Sequence, residues 1–132
     1  RMGDPETQVV LPRIKSDFLN LMICTAKESL NSCEIEISDD TYTNVVMVAG
    51  GYPEGYEKGN LITGVPESTD ETIIFHAGTK EIKNDITTDG GRVLSVVSKG
   101  FDHKQAISKS YKTVSKINFK DKNYRKDIGF DL

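Results

Sequence analysis

The segment YTNVVMV, residues 42–48, leads directly into the loop AGGYPEGYEKGN, residues 49–60. Residues 45–48 are apolar without a break, which predicts a β-strand that is covered on both faces. The loop holds four glycines, and glycine allows backbone N–H groups to approach a ligand closely. This junction therefore predicts a rigid strand that carries a flexible binding loop.

Short strands are predicted on both sides of this junction. The alternation in CEIEIS, residues 33–38, predicts a strand with one solvent-facing side, and Asp89-Gly90-Gly91 predicts a tight turn. Short connections between successive strands are typical of an antiparallel sheet. The other predicted strands are residues 61–62, 72–76 and 92–98, with a small hairpin arm at residues 80–87.

Two helices are predicted, one before and one after the strands. Residues 12–31 carry apolar side chains at spacings of three and four, behind a proline that suits a first helical turn. Asp102, with Gln105 three residues later, resembles a capping box at the start of a helix that runs to about Ile117. We therefore expect an α+β fold, a mainly antiparallel curved sheet with one packed helix, preceded by a helical segment.

The length and composition are those of one globular domain. The chain of 132 residues can bury a core, and no apolar run approaches the roughly 20 residues of a membrane-spanning helix. Cys24 and Cys33 lack metal-site spacing, which favours two reduced thiols over a disulfide or a metal site. The chain opens RMGDPETQ, without an initiating Met, and we expect a fragment that begins inside a working motif.

The charge is unevenly distributed along the chain. The net charge is −3, yet basic residues outnumber acidic ones after residue 91. A basic region can indicate a nucleic-acid binder, which would bind oligonucleotides with a steep salt dependence. Because these lysines lie mostly on one predicted helix and its exit, a solvated face turned toward an anionic small molecule is favoured.

Three loops pair glycine with polar side chains: GGYPEGYEKG, HAGTK and DGGR. Consecutive backbone amides can form an anion cradle, and lysine or arginine adds charge for a phosphate or carboxylate. Taken singly, each of these features has an ordinary explanation: the glycines as a hairpin turn, the histidine as a packed side chain and the lysine as a solvated one. The residues alone indicate a module with several loops suited to an anionic ligand. Its candidate polar groups are Tyr52, Tyr56, Lys58, His76, Thr79, Lys80 and Arg92.

Five stretches in order carry a family resemblance: RMGDPETQVVLPRIKSD, VAGGYPEGYEKGNLITG, FHAGTK, TTDGGRVLSVV and YRKDIG. Together they resemble the phosphoribosylamine–glycine ligase family of the ATP-grasp superfamily, from residue 1 to about residue 129. Met2 stands where that family more often has phenylalanine, an apolar replacement. The resemblance implies the carboxy-terminal portion of such a ligase. Residues 1–35 would end the ATP-grasp domain, and residues 36–132 would form a substrate-side α+β domain.

The resemblance also implies a reaction. ATP would activate glycine as glycyl phosphate, and 5-phosphoribosylamine would displace phosphate to give glycinamide ribonucleotide in de novo purine biosynthesis. ATP and Mg²⁺ are expected in the full-length enzyme and neither in this portion, which should not catalyse alone. A cytoplasmic location follows, with the remainder of the polypeptide as a partner and neither nucleic acid nor membrane. The alternative is a non-catalytic small-molecule-binding accessory domain, which would bind its ligand tightly by itself.

The family motifs assign roles to individual residues. Arg1 would contact a phosphate or the acyl phosphate, and Asp4 would orient glycine or the amine. Glu6 is a weaker candidate; alternatively, Asp4 and Pro5 shape a turn and Glu6 is a helix-start acid. We expect the loops to converge on a positively biased mouth, with Arg92 and Lys58 closest to the ribose 5-phosphate. The implied substrate-binding residues are Gly50, Gly51, Tyr52, Pro53, Lys58, Gly59, His76, Gly78, Thr79, Gly91 and Arg92, with no metal ligand among them.

Overall fold

The computed structural model describes residues 2–132 and has the predicted α+β fold. Its main sheet is antiparallel, with strand order β1 (Thr41–Val48), β5 (Arg92–Gly100) and β2 (Thr72–His76). A separate hairpin pairs β3 (Thr79–Ile82) with β4 (Asp85–Thr88). Among the described residues, three α-helices accompany the strands: α1 (Thr7–Val10), α2 (Phe18–Ala26) and α3 (His103–Val114).

The main sheet is covered on both faces, as the apolar run in β1 predicts. On one face α3 packs against β1 and β5, and Thr43 Oγ1 lies 3.0 Å from Ser110 Oγ of the helix. On the other face the amino-terminal segment crosses β1, where Asn44 Nδ2 donates to Gln8 Oε1 at 3.0 Å. The buried core between sheet and helix comprises Val45, Met47, Ile74, Leu94, Val96, Val114 and Ile117, among others.

The start of α3 follows the capping prediction. The Asp102 side chain accepts a hydrogen bond from the Gln105 backbone N–H at 2.8 Å, and Gln105 Oε1 accepts one from the Phe101 backbone at 3.2 Å. The first contact satisfies a backbone donor that the helix itself leaves unpaired, and the second holds the residue before the cap. The helix is shorter than predicted, since it ends at Val114, although Ile117 is still fully buried.

Replacing Asp102 with alanine is expected to lower the free energy of unfolding by about 1 kcal/mol, because the cap of α3 is lost. Urea unfolding followed by circular dichroism measures this change. Lys104→Ala is the matched control, because Lys104 is exposed in the same helical turn and alanine favours a helix. An equal loss in both variants would mean that the cap contributes nothing specific.

The predicted helix at residues 12–31 is confirmed only over α2 (Phe18–Ala26), and its bounds are wrong. The chain instead forms α1, a 3-10 turn at Leu11–Arg13, and α2, because Ile14 takes an extended conformation with ψ 116°. There Ile14 bridges Ile37, and Asp17 caps α2 by accepting from the Asn20 N–H at 3.0 Å. The backbone pairing of Ile14 and the cap at Asp17 therefore determine the structure here, and the helical spacing of the apolar residues does not.

The predicted strand at residues 33–38 is also wrong. Its one ladder contact among the described residues is the isolated bridge from Ile37 to Ile14, and both Ile35 and Ile37 remain exposed. Alternation alone does not make a strand unless a partner edge is in reach. The short strand at 61–62 likewise reduces to one bridge from Leu61 to Thr87.

The expectation of two reduced thiols is wrong as well, because Cys24 and Cys33 form a disulfide. The turn after α2 reverses the chain, with Glu28 at φ +57° and the Ser29 N–H donating to the Cys24 carbonyl at 2.9 Å. This reversal brings Cys33 back toward the end of α2. Among residues 2–132, no helix has both the length and the apolar character needed to cross a membrane.

Candidate functional site

The three glycine-bearing loops meet through their backbones at one end of the main sheet. The Ala49 N–H donates to the Gly91 carbonyl at 2.8 Å, which joins the loop after β1 to the loop before β5. On the other side the Gly78 N–H donates to the Arg92 carbonyl at 2.8 Å, and the Asp89 N–H donates to the Gly78 carbonyl at 2.7 Å. The DGGR loop is therefore the shared centre that holds the other two in place.

Close backbone contact at this centre requires glycine at residue 78. A Cβ atom on Gly78 would lie 2.5 Å from Gly90 Cα and 2.7 Å from the Arg92 carbonyl oxygen. Gly91 meets side chains instead, because a Cβ there would overlap the Tyr52 ring. The glycines of HAGTK and DGGR thus serve packing between loops, in addition to any contact with a ligand.

An irregularity in the register between β1 and β5 determines on which face of the sheet the Arg92 side chain lies. Met47 pairs with Leu94, whereas Val48 pairs with Arg92, so Val93 has no partner on β1. Such a bulge shifts the alternation of β5 by one residue. Arg92 consequently shares a sheet face with Val48, the face that the amino-terminal segment covers.

A cleft of about 320 Å³ opens on this face, between the amino-terminal segment and the loops. One wall is aromatic, since the Tyr52 and Tyr56 rings lie 6.1 Å apart between centroids, at an interplanar angle of 55°. An apolar groove of about 390 Å³ shares Tyr52 and Arg92 with the cleft. The cleft is lined by Asp4, Pro5, Gln8, Val46, Tyr52, Tyr56, Ala77, Gly91, Arg92 and Ser95.

Two cations of the loops, Arg92 and Lys58, are each paired with a carboxylate. Arg92 Nη2 lies 2.7 Å from Asp4 Oδ2, and the two side chains are 41% and 58% exposed. Lys58 Nζ lies 3.4 Å from Asp89 Oδ1, again near solvent. An incoming anion would therefore compete with a carboxylate for each of these cations. Because both pairs are exposed to solvent, replacing the carboxylate should cost little free energy.

A further ion pair holds the first loop to the carboxy-terminal tail. Lys120 Nζ donates to Glu57 Oε2 at 2.6 Å, and this hydrogen bond lowers the pKa of Glu57 and raises the pKa of Lys120. Because both side chains are exposed, salt should weaken the pair. The tail is also attached by a backbone bridge from Val48 to Asn123.

The structure brings part of the predicted site together. Asp4, Tyr52, Gly91 and Arg92 line the cleft, whereas Arg1 lies outside the described residues. His76 Nδ1 lies 3.0 Å from Thr79 Oγ1, and Gly51 forms a turn at φ +87°. The roles of all the predicted site residues stay predictions, and those that do not line the cleft are Gly50, Gly51, Pro53, Lys58, Gly59, His76, Gly78 and Thr79.

Six cleft residues are not among the predicted site residues, and three of them are polar: Gln8, Tyr56 and Ser95. The sequence marks Tyr56 as a polar group of its loop, and the family motifs assign it no role. Ser95 interrupts the apolar strand RVLSVVS, and a polar residue inside such a strand is the signal that could have found it. Gln8 carried no signal, because its position depends on how the amino-terminal segment crosses the sheet.

Residues 42–131 match the family described as phosphoribosylglycinamide synthetase, C domain. The chain belongs to this family. The phosphoribosylamine–glycine ligase of Fusobacterium nucleatum is 49% identical over 132 residues, which cover 98% of this chain and 31% of that protein. The bifunctional purine biosynthetic protein PUR2,5 of Pichia angusta is 47% identical over 129 residues, 97% of this chain and 16% of that protein.

A solved relative has the same architecture as this member of the phosphoribosylglycinamide synthetase family. The crystal structure of phosphoribosylamine–glycine ligase from Thermotoga maritima superposes with a TM-score of 0.72 at 32% sequence identity. The match covers 96% of this chain and 31% of that one. The chain thus spans about a third of the length of the phosphoribosylamine–glycine ligases that it matches.

Proposed function

We propose that this chain is the carboxy-terminal, substrate-side part of a cytoplasmic ligase of purine biosynthesis. The ligase joins glycine to 5-phosphoribosylamine through glycyl phosphate, with ATP converted to ADP and phosphate. Residues 1–35 complete its ATP-grasp domain and residues 36–132 form the separate α+β domain. The observation that carries this proposal is the cleft, where Arg92 and Asp4 of two family motifs face each other at 2.7 Å.

The cleft offers the chemistry that phosphoribosylamine requires. The Arg92 guanidinium can form paired, charge-assisted hydrogen bonds to a phosphate, and it is already oriented by Asp4. The Asp4 carboxylate, once released, can accept a hydrogen bond from an amine. When a phosphate replaces the Asp4 carboxylate beside Arg92, the guanidinium still has an anionic partner. Binding therefore would not leave the Arg92 charge unpaired.

The remaining steps fall to the rest of the polypeptide. Transfer of the γ-phosphoryl group requires Mg²⁺ and cations around ATP, and the acyl phosphate must be shielded from water. Residues 2–132 contain no group of three or more His, Cys, Asp or Glu side chains placed to hold a metal ion. In this proposal the present chain therefore positions the amine substrate at attack distance and closes the site.

ADP formation by the full-length protein that carries this chain tests the proposal. We expect ADP to accumulate only when glycine, phosphoribosylamine and ATP are all present, and to fall to background when either glycine or phosphoribosylamine is omitted. ADP formation independent of phosphoribosylamine would overturn the proposal. Tight binding of ATP or glycinamide ribonucleotide by the isolated chain, with no ligase activity in the full-length protein, would instead support an accessory binding domain.

A further inference from the structure

Ser95 places a hydroxyl group at the bottom of the cleft. The residue is 1% exposed, and the small part that is open faces the cleft that it lines. Its neighbours along β5, Leu94 and Val96, are fully buried. Within residues 2–132 its hydroxyl forms no side-chain hydrogen bond, unlike Ser98 of the same strand, which lies 2.9 Å from Thr72 Oγ1.

The bulge in β5 brings this hydroxyl and the Arg92 guanidinium into the same cleft. Residues three apart in a regular strand point to opposite faces of the sheet. Here Ser95 pairs with Val46 and Arg92 pairs with Val48, and these two valines share one face because they are two residues apart. The hydroxyl and the cation therefore face the same ligand space, roughly 10 Å apart along the strand.

In the free protein the Ser95 hydroxyl has only cleft water to bond, because it lines the cleft and no side chain among the described residues pairs with it. The side-chain oxygen that is both buried and unpartnered there is Asn44 Oδ1, not Ser95 Oγ. A ligand hydroxyl in the cleft would replace that water as the partner of Ser95. Gln8 offers a second one, because its Oε1 accepts from Asn44 at 3.0 Å while its amide N–H groups make no hydrogen bond among the described residues.

The other walls indicate what kind of ligand carries that hydroxyl. Arg92 favours an anionic group at one end. Tyr52 and Tyr56 provide an aromatic wall against which the apolar face of a sugar ring can pack. An anion, a ring with an apolar face and a hydroxyl group occur together in a pentose phosphate, whereas inorganic phosphate would leave Ser95 unpartnered.

We propose that Ser95 is a specificity-determining residue that hydrogen-bonds a ribose hydroxyl of a pentose 5-phosphate whose phosphate lies at Arg92. The assignment rests on the proposed function, since phosphoribosylamine is the pentose phosphate concerned. It distinguishes Ser95 from a packing residue, whose hydroxyl would not be needed by any ligand.

Calorimetric titration of the full-length protein with ribose 5-phosphate, and separately with inorganic phosphate, tests the assignment. We expect Ser95→Ala to weaken ribose 5-phosphate binding about five- to tenfold, as for one lost neutral hydrogen bond, and to change phosphate binding less than twofold. The midpoint of thermal unfolding should not fall, because alanine removes an unpartnered hydroxyl. Ser108→Ala, on the exposed surface of α3, is the control and should change neither quantity.

The hydroxyl can be deleted from the ligand as well. If the two hydroxyls meet, 2-deoxyribose 5-phosphate or a 3-deoxy analogue should bind wild type and Ser95→Ala equally well. Equal ribose 5-phosphate affinity in wild type and Ser95→Ala would overturn the assignment, as would equal losses for the sugar phosphate and for phosphate. Such a result alongside substrate-dependent ADP formation would reject the role of Ser95 alone, whereas absence of ADP formation would reject the proposed function.

Discussion

Replacing Gly78 with alanine is expected to lower the free energy of unfolding by about 3 kcal/mol or more, a loss near the upper end for single substitutions. The added methyl group would lie 2.5 Å from Gly90 Cα and 2.7 Å from the Arg92 carbonyl oxygen. Both contacts are with backbone, which cannot rotate away as a side chain can. The hydrogen bonds that Gly78 exchanges with Arg92 and Asp89 would have to lengthen or break, and the DGGR loop would move.

Gly55→Ala is the matched control for this prediction. Gly55 lies in the loop after β1, and a Cβ there has nothing within 4 Å. Alanine at Gly55 should leave stability within about 0.5 kcal/mol of wild type, or raise it slightly by restricting the unfolded chain. Urea unfolding measures the free energy of unfolding of both variants. Equal values would contradict the prediction, because the HAGTK and DGGR loops could then move apart at Gly78 without loss of stability.

The central sheet could be predicted because its signals are local. The apolar run at residues 45–48, the strand RVLSVVS and the capping pair of Asp102 and Gln105 each fix one element, and each element forms where predicted. Glycine beside polar side chains indicates three loops, and their backbones do meet. Sequence and packing agree in this part of the chain, as minimally frustrated folds require.

The amino-terminal third could not be predicted in the same way. Its apolar residues repeat at helical spacing, but Ile14 pairs with Ile37 and Asp17 starts a new helix. These outcomes depend on which partner lies nearby, and a period of apolar residues carries no such information. The same limit hid Gln8, which reaches the cleft because its segment crosses β1.

The bulge opposite Met47 and Val48 is the least predictable part of the site. Alternation along RVLSVVS would place Arg92 and Ser95 on opposite faces, and so on different sides of the sheet. Because Val93 is an extra residue in β5, Arg92 and Ser95 lie on the same face. No residue type in the segment indicates that a bulge forms there. Strand register therefore decides which β5 side chains line the cleft. The sequence predicted the loops around the cleft but not this register.

The pair formed by Arg92 and Asp4 separates effects on stability from effects on binding. Both side chains are well exposed, at 41% and 58%, and exposed ion pairs contribute roughly 0–1 kcal/mol to folding. A contact between Arg92 and a phosphate is stronger, because both groups are charged and the guanidinium can donate two hydrogen bonds. Loss of Arg92 should therefore appear in substrate use far more than in unfolding.

Under the proposed function, Arg92→Ala in the full-length protein is expected to reduce kcat/KM for phosphoribosylamine by about 30-fold or more, equivalent to about 2 kcal/mol for a lost charge-assisted contact. Steady-state ADP formation at varied phosphoribosylamine measures this loss, and the KM for glycine should change little. Arg92→Lys should recover part of it, since lysine keeps the charge but not the paired geometry. Lys104→Ala, an equal charge change on the exposed side of α3, is the control.

Asp4→Asn makes the opposite change in the same pair and completes the argument. It leaves Arg92 without its carboxylate, so ribose 5-phosphate should bind more tightly, by a fewfold at low salt and less at high salt. If Asp4 also orients the amine or glycine, kcat should fall while sugar-phosphate affinity rises. Unchanged kinetics in Arg92→Ala, together with unchanged affinity in Asp4→Asn, would mean that phosphoribosylamine binds elsewhere and that this pair merely joins the amino-terminal segment to β5.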